Sequence, residues 1–415
     1  MIRFSELVLL VVIAAKPAMD ALYAVPIAKY VYMFALIWAA FLAYAGKSDA
    51  AIRGRSVAQV SEREGSLQIL FWTLTYASLL YLPATRYGIS IHEIFKIVSP
   101  FILYLLVRGN VTAHLRYAIL ALALMVIFAN ALLLPFDFGW VRWGSVRTFK
   151  GFYYFKTDLA YSVVTSLLLI GIFFDFRMRP LFVLAILVAA VEVVLSNARL
   201  NYLLFVLFLA FLFWRNGVSL ARLAGSAAVV ITVATIGVIL YDSVTYLSPL
   251  DLTDINRFTQ GRDKIWNVLV NEGLLKASWA DLLFGQGMWF DWDIINEYGY
   301  GFKLTFDAHN ELIHLLLTQG ILGLLLYIWL YVCLTRDTLR RARMPGAPPV
   351  ALFAIALLAL QGLTSIVSSF ASKTWPVVLV FLMMQSVQKA SETRSATTTA
   401  GMDDNRESQP AAASA

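Results

Sequence analysis

Apolar runs of membrane length, separated by short polar breaks, occupy most of the 415 residues. A bilayer core of roughly 30 Å takes about 20 residues of helix. On that length rule the pattern predicts spans over 4–22, 26–45, 67–83, 90–107, 114–134, 158–174, 180–196, 200–214, 220–240, 308–334, 349–370 and 374–388. The alternating ten-residue segments that a transmembrane barrel requires are absent. Helices satisfy every backbone N–H and C=O within their own segment, as lipid demands. The expected fold class is all-α, a polytopic membrane protein of about twelve transmembrane helices.

Two breaks are longer than a connector needs, 135–157 and 241–308. Within the second, Ile265, Trp266, Leu269, Val270 and Leu274 recur at helical spacing after Gly261, which predicts an amphipathic helix lying on the membrane or against the bundle. The stretch FGQGMWFDWDIINEYGYGF mixes aromatic residues with glycines, as an interfacial surface that must also bend would. From Ser391 to Ala415 the chain is rich in Ser, Thr, Ala, Asp and Glu and cannot bury a core, so a disordered tail is expected after a membrane domain spanning 1–390.

Composition agrees with the pattern: 60% hydrophobic and 14% charged residues, with a mean hydropathy of +0.73, leave too few polar side chains to coat a soluble globule. The single cysteine, Cys333, excludes an intrachain disulfide. The first apolar stretch is read as a retained helix, because Glu6 offsets Arg3 and Lys16-Pro17 is a poor cleavage context. The breaks at 46–66, 108–116, 175–179, 215–222 and 335–347 carry the larger share of the lysines and arginines, which assigns them, both termini and the tail to the cytoplasm. Against that bias, Arg142, Arg147, Lys150, Lys156, Arg199, Arg257, Arg262 and Lys264 fall on the opposite side. Long loops cross regardless of charge, but an anionic ligand would also account for several of them.

Arg199 sits in SNARLNYLL, a short turn between two apolar helices, where it is a snorkelling helix-end arginine or an anion ligand. Arg262, in TQGRDKIW, stands at the apparent start of the amphipathic helix, solvated or gripping an anion that the helix terminus already favours. Two guanidiniums can hold a diphosphate in a bidentate manner, so a lipid diphosphate is the natural ligand. In DAHNELIHLLLTQGILGLL, Asp307 is a good N-cap with Asn310 three residues on, which would place His309 in the first helical turn as a neutral imidazole able to accept a proton. His314, about 140° further round that helix, is expected to pack in the bundle or support the site. Gly320 and Gly323 are read as permitting close helix approach, and Glu192 is an ionisable group deep in a span without an assigned role. No metal-ligand spacing accompanies the histidines, and metal-independent chemistry without a cofactor is expected.

Taken together, SNARLNYLL, TQGRDKIWNVLV with LLFGQG, and AHNELIHLLLTQGILGLL resemble the O-antigen ligase family, which is related to O-antigen polymerases and protein O-oligosaccharyltransferases. The resemblance lies over roughly residues 190–335 and is most specific in the last motif. It implies a GT-C-like glycosyltransferase of the bacterial inner membrane, with its active site facing the periplasm. The implied donor is a polyprenyl (undecaprenyl) diphosphate-linked glycan and the acceptor lipid A-core, with membrane lipids around it and no nucleic-acid partner. It also implies His309 as the catalytic histidine and Arg199 and Arg262 as donor-diphosphate ligands. His309-Asn310 matches the family's His-Asn pair, and Arg142, Arg147, Lys150, Asn310 and His314 are further substrate-binding candidates. Three rivals stand beside this reading: a polymerase using the same donor chemistry, a lipid-oligosaccharide flippase or transporter, and a protein-glycosylating relative. The absence of an evident internal repeat, and of lysines within spans other than Lys29 and Lys96, counts against transport.

Overall fold

The computed structural model describes residues 57–81, 91–108, 111–143, 146–153, 155–217, 262–298, 308–342, 344–363, 365–367 and 371–385, together with Ala35 and Trp38. The expected spans 4–22 and 220–240, the span 26–45 apart from Ala35 and Trp38, and the tail 391–415 lie outside the described residues. What is described is mostly helical. In chain order the helices are α1 (Val57–Tyr81), α2 (Ile91–Val107), α3 (Ala113–Ala131), α4 (Lys156–Phe173), α5 (Pro180–Ser196), α6 (Arg199–Arg215) and α7 (Arg262–Val268), followed by α8 (Trp279–Phe284), α9 (Phe290–Tyr298), α10 (Glu311–Arg341), α11 (Ala347–Gly362) and α12 (Ala371–Met384). Between α3 and α4 the unpredicted element is a hairpin, β1 (Trp140–Trp143) antiparallel to β2 (Val146–Phe149).

Three of these helices, α3, α4 and α10, are long and apolar enough to cross a membrane, and α5, α6, α11 and the greater parts of α2 and α12 are shorter apolar helices. α4 is buried on every side from Asp158 to Ile172, as expected of a helix that is apolar all round, and packs against α3, α5, α6 and α12. The outward faces of α5 and α10 expose Leu184, Leu187, Val191, Leu325 and Ile328, large side chains suited to lipid rather than water.

Polar contacts tie together the cation-bearing breaks. Arg215 donates to the carbonyls of Pro345 (2.7 Å) and Gly346 (3.1 Å) and faces Asp175 at 3.5 Å, while Arg116 donates to the Phe173 carbonyl at 2.9 Å. Asp337 is buried between Arg108 (2.8 Å) and Arg341 (3.1 Å) and accepts from the Tyr104 hydroxyl (2.8 Å), which joins α2, α10 and the end of α12. A buried carboxylate so surrounded has its charge and its lone pairs matched. These residues define one end of the bundle, and the hairpin belongs to the other.

α10 is broken inside the apolar layer. Gly320 has φ 69° and ψ −175°, backbone that is essentially glycine-only, and the carbonyls of Leu317 and Thr318 leave the helical ladder to accept from Gln286 N (2.9 Å) and Gly287 N (3.1 Å). Gly285, at φ 78° and ψ 172°, lies against the break, so two glycines permit one backbone to touch another. A methyl group on Gly320 would stand 2.4 Å from the Leu283 carbonyl oxygen. Gly320→Ala is accordingly expected to cost more than the roughly 1–3 kcal/mol of the backbone strain alone. Gly217→Ala, at φ 66° with open space around it, isolates that strain. Equal losses of thermal stability in the two variants would refute the close-approach role.

Candidate functional site

Residues 262–298 fold onto the start of α10 through a small apolar core. Ile265, Leu269, Ile294, Ile295, Ala308 and Leu317 are all buried together, so the predicted stripe does face the bundle. α7 begins at Arg262 and continues as a π-helical segment over 269–274. Trp266 Nε1 donates to the Ala308 carbonyl at 2.9 Å. Arg262, half-buried, lies one helical turn before Trp266 on the same face, so the fold brings its helix beside the histidine segment.

Asp291 fixes that segment from the other side. Its carboxylate, fully buried, accepts the Ala308 N–H at 3.2 Å and His314 Nδ1–H at 3.0 Å. A carboxylate only accepts, so Nδ1 carries the His314 proton. Both backbone polar groups of Ala308, the residue next to His309, are thus held by side chains more than a dozen residues away in sequence.

His309 is not in the first turn of the helix. α10 starts at Glu311, with Asn310 as the N-cap accepting from Ile313 N at 3.2 Å, while His309 precedes it at φ 45° in the left-handed region. The reason is capping chemistry: the Asn310 side chain takes an orphan N–H of the first turn, and Asp307 lies outside the described residues. The imidazole is half-buried, set off the helix by one left-handed step. Asn310 also donates to the Leu363 carbonyl at 3.4 Å, and Glu311 accepts from Val367 N, docking the α11–α12 connection against this corner. His314 packs in the bundle interior, as expected, with no exposed surface.

From this corner, polar contacts run to the start of α6. Lys373, at the head of α12 and buried, donates to the Ser365 hydroxyl and the Ile366 carbonyl (2.9 Å) and faces Asp158 of α4 at 3.4 Å. Next to Asp158, the Thr157 carbonyl accepts from Asn201 of α6 at 3.1 Å, and Lys156 donates to the Asn197 carbonyl at 3.3 Å. Arg199 is the first residue of α6 at this same end, after the left-handed Asn197, and its side chain lies outside the described set.

Arg142 and Arg147 belong to the hairpin, and Lys150 follows it. Arg142 and Arg147 are directly opposed across the strands. Arg147 pairs with Asp137 and covers the Trp140 ring at 4.8 Å, and Arg142 is exposed. Opposed like charges destabilise a hairpin unless an anion joins them. Lys150 donates to the Tyr153 carbonyl at 3.3 Å and stands 5.1 Å from the Phe138 ring, and desolvation pushes its ammonium below the ordinary lysine value. Glu192 is fully buried in α5, and among the described residues neither carboxyl oxygen has a hydrogen-bond partner.

Asp291, Lys373 and Asp158 carry no local signal that sets them apart. Asp291 sits in an aromatic-rich stretch, and Lys373 and Asp158 read as ordinary charges at the mouths of apolar runs. Compared with protein-family models and with curated proteins, the sequence finds no match.

Proposed function

We propose that the chain is a membrane glycosyltransferase of the O-antigen ligase type, which moves a glycan from a polyprenyl diphosphate carrier to lipid A-core at the bundle end that bears the hairpin. In this reading that end faces the periplasm of the bacterial inner membrane, in a GT-C-like bundle of about twelve spans. The observation that carries it is the corner around Ala308. An imidazole set off the helix on a doubly held backbone stands beside the helix that begins with Arg262, at the same end as the start of α6 and the hairpin cations.

The chemistry needs little more. His309 removes the proton from an acceptor sugar hydroxyl, whose oxygen attacks the anomeric carbon and expels the polyprenyl diphosphate with inversion. The electron pair of the broken C–O bond leaves on the diphosphate. Arg262 and Arg199 take up the charge that grows there, and each charge-assisted bond contributes roughly 1.5–3 kcal/mol. Asn310 and the opposed arginines of the hairpin offer further contacts to donor or acceptor phosphates. Asp291 and His314 hold the corner and touch no substrate.

Transport draws on one feature, the break in α10, since carriers bind ions at unwound helices. Here the two carbonyls that the break frees are taken by Gln286 and Gly287, which favours a structural break. Loss of the gene tests the proposal: unmodified lipid A-core with accumulated lipid-linked polymer is expected. A single repeat on the core would point to a polymerase instead, and unchanged surface glycan would refute both.

A further inference from the structure

Along the bundle surface runs a groove between α10 and α11, of about 780 Å³. That lies inside the roughly 300–1,000 Å³ of clefts that bury a ligand. Its walls are almost wholly apolar, formed by residues such as Leu324, Ile328, Val332, Leu352, Ile355 and Ala359. Glu311 stands at one end, and Arg336 and Arg340 at the other. Those ends are 29 residues apart on α10, on either side of the Gly320 break. The groove therefore runs along both parts of α10, from the Glu311 corner to the end that holds Asp337.

Its charge is polarised. Arg336 and Arg340 are one turn apart on one face, both exposed, and among the described residues no carboxylate pairs with either. Asp337, which lies between them in sequence, turns inward to Arg108 and Arg341. An anionic headgroup is thus attracted to the arginine end.

We infer that the α10–α11 groove is a binding site for an anionic diacyl phospholipid of the leaflet at the Asp337 end, its phosphate held by Arg336 and Arg340 and its acyl chains lying along Ile328, Val332, Leu352 and Ile355. The site is independent of glycan transfer. It joins two helices whose outer ends build the Glu311 corner, so occupancy braces α11 against α10.

The test is native mass spectrometry of the full chain, released from bilayers containing equal phosphatidylglycerol and phosphatidylcholine, counting lipids that stay bound. The wild-type chain is expected to retain phosphatidylglycerol preferentially. Arg336→Gln with Arg340→Gln should cut that retention about tenfold or more, at roughly 1 kcal/mol per cation, and leave phosphatidylcholine unchanged. Ala359→Trp fills the groove from an exposed position and should reduce retention of both lipids. Arg177→Gln with Arg179→Gln, which removes two exposed cations at the same end, should change neither. Equal retention by the double arginine variant, an equal loss on removing Arg177 and Arg179, or no effect of Ala359→Trp would each overturn the site. So would a groove found occupied by an isoprenoid diphosphate or by a second copy of the chain.

Discussion

Replacing His309 with asparagine is expected to slow glycan transfer by about 10²–10⁴-fold, the usual contribution of a positioned acid–base group. Asparagine is the sharper substitution because it tolerates the left-handed φ of 45° that alanine resists, so it removes the basic nitrogen without straining the turn. The imidazole is half-buried outside the helix, and the variant should reach the membrane at the normal level. The measurement is transfer from a polyprenyl diphosphate donor in reconstituted bilayers, with kcat and KM separated. A base acting in the transition state should lower kcat and leave donor KM nearly unchanged. Normal transfer by His309→Asn would end the base assignment, whatever the overall activity of the chain.

Removing Asp291 should cost stability first and activity second. Asp291→Ala leaves the His314 ring N–H and the Ala308 N–H buried without an acceptor, which is expected to destabilise the fold by roughly 3–5 kcal/mol. Because Ala308 precedes His309, transfer by whatever protein remains folded should also fall, through kcat. Thermal unfolding in detergent reads the first effect. Comparing Asp291→Ala, His314→Ala and the double variant then reads the coupling, expected at about 0.5–3 kcal/mol for residues in contact. Strict additivity would show that the two side chains are neighbours without being partners, and would leave the corner without its proposed brace.

The contrast between the two histidines shows how far a linear pattern reaches. That a helix starts close to His309 was legible from DAHNELIH, but the angle of about 140° expected between the two histidines was not a property of the fold, because His309 stands before the N-cap in the left-handed region, where helical spacing does not apply. Which residue capped the helix was not legible. Asp307 and Asn310 are both good caps, and the choice depends on what else can dock there: Asn310 reaches the Leu363 carbonyl, a partner supplied by α11. The hairpin at 140–149 was missed for a similar reason, since two four-residue strands carry too short a pattern to stand out from an irregular loop. Gly320 was read as a point of close approach, which it is, but the break in α10 needed a second glycine, Gly285, and two backbone donors from a distant loop.

By itself the sequence determined the local and the collective: where apolar runs of helical length lie, that the breaks rich in arginine and lysine belong together, and that 262–274 carries one apolar stripe. These follow from burial, which acts on each segment's own composition and period. The tertiary structure alone decided the pairings, Asp291 with His314 and Ala308, Lys373 with Asp158, Trp266 with Ala308, and the Gly285–Gly320 contact. A hydrogen bond or ion pair is set by a few tenths of an ångström between groups far apart along the chain, and no local propensity carries that distance.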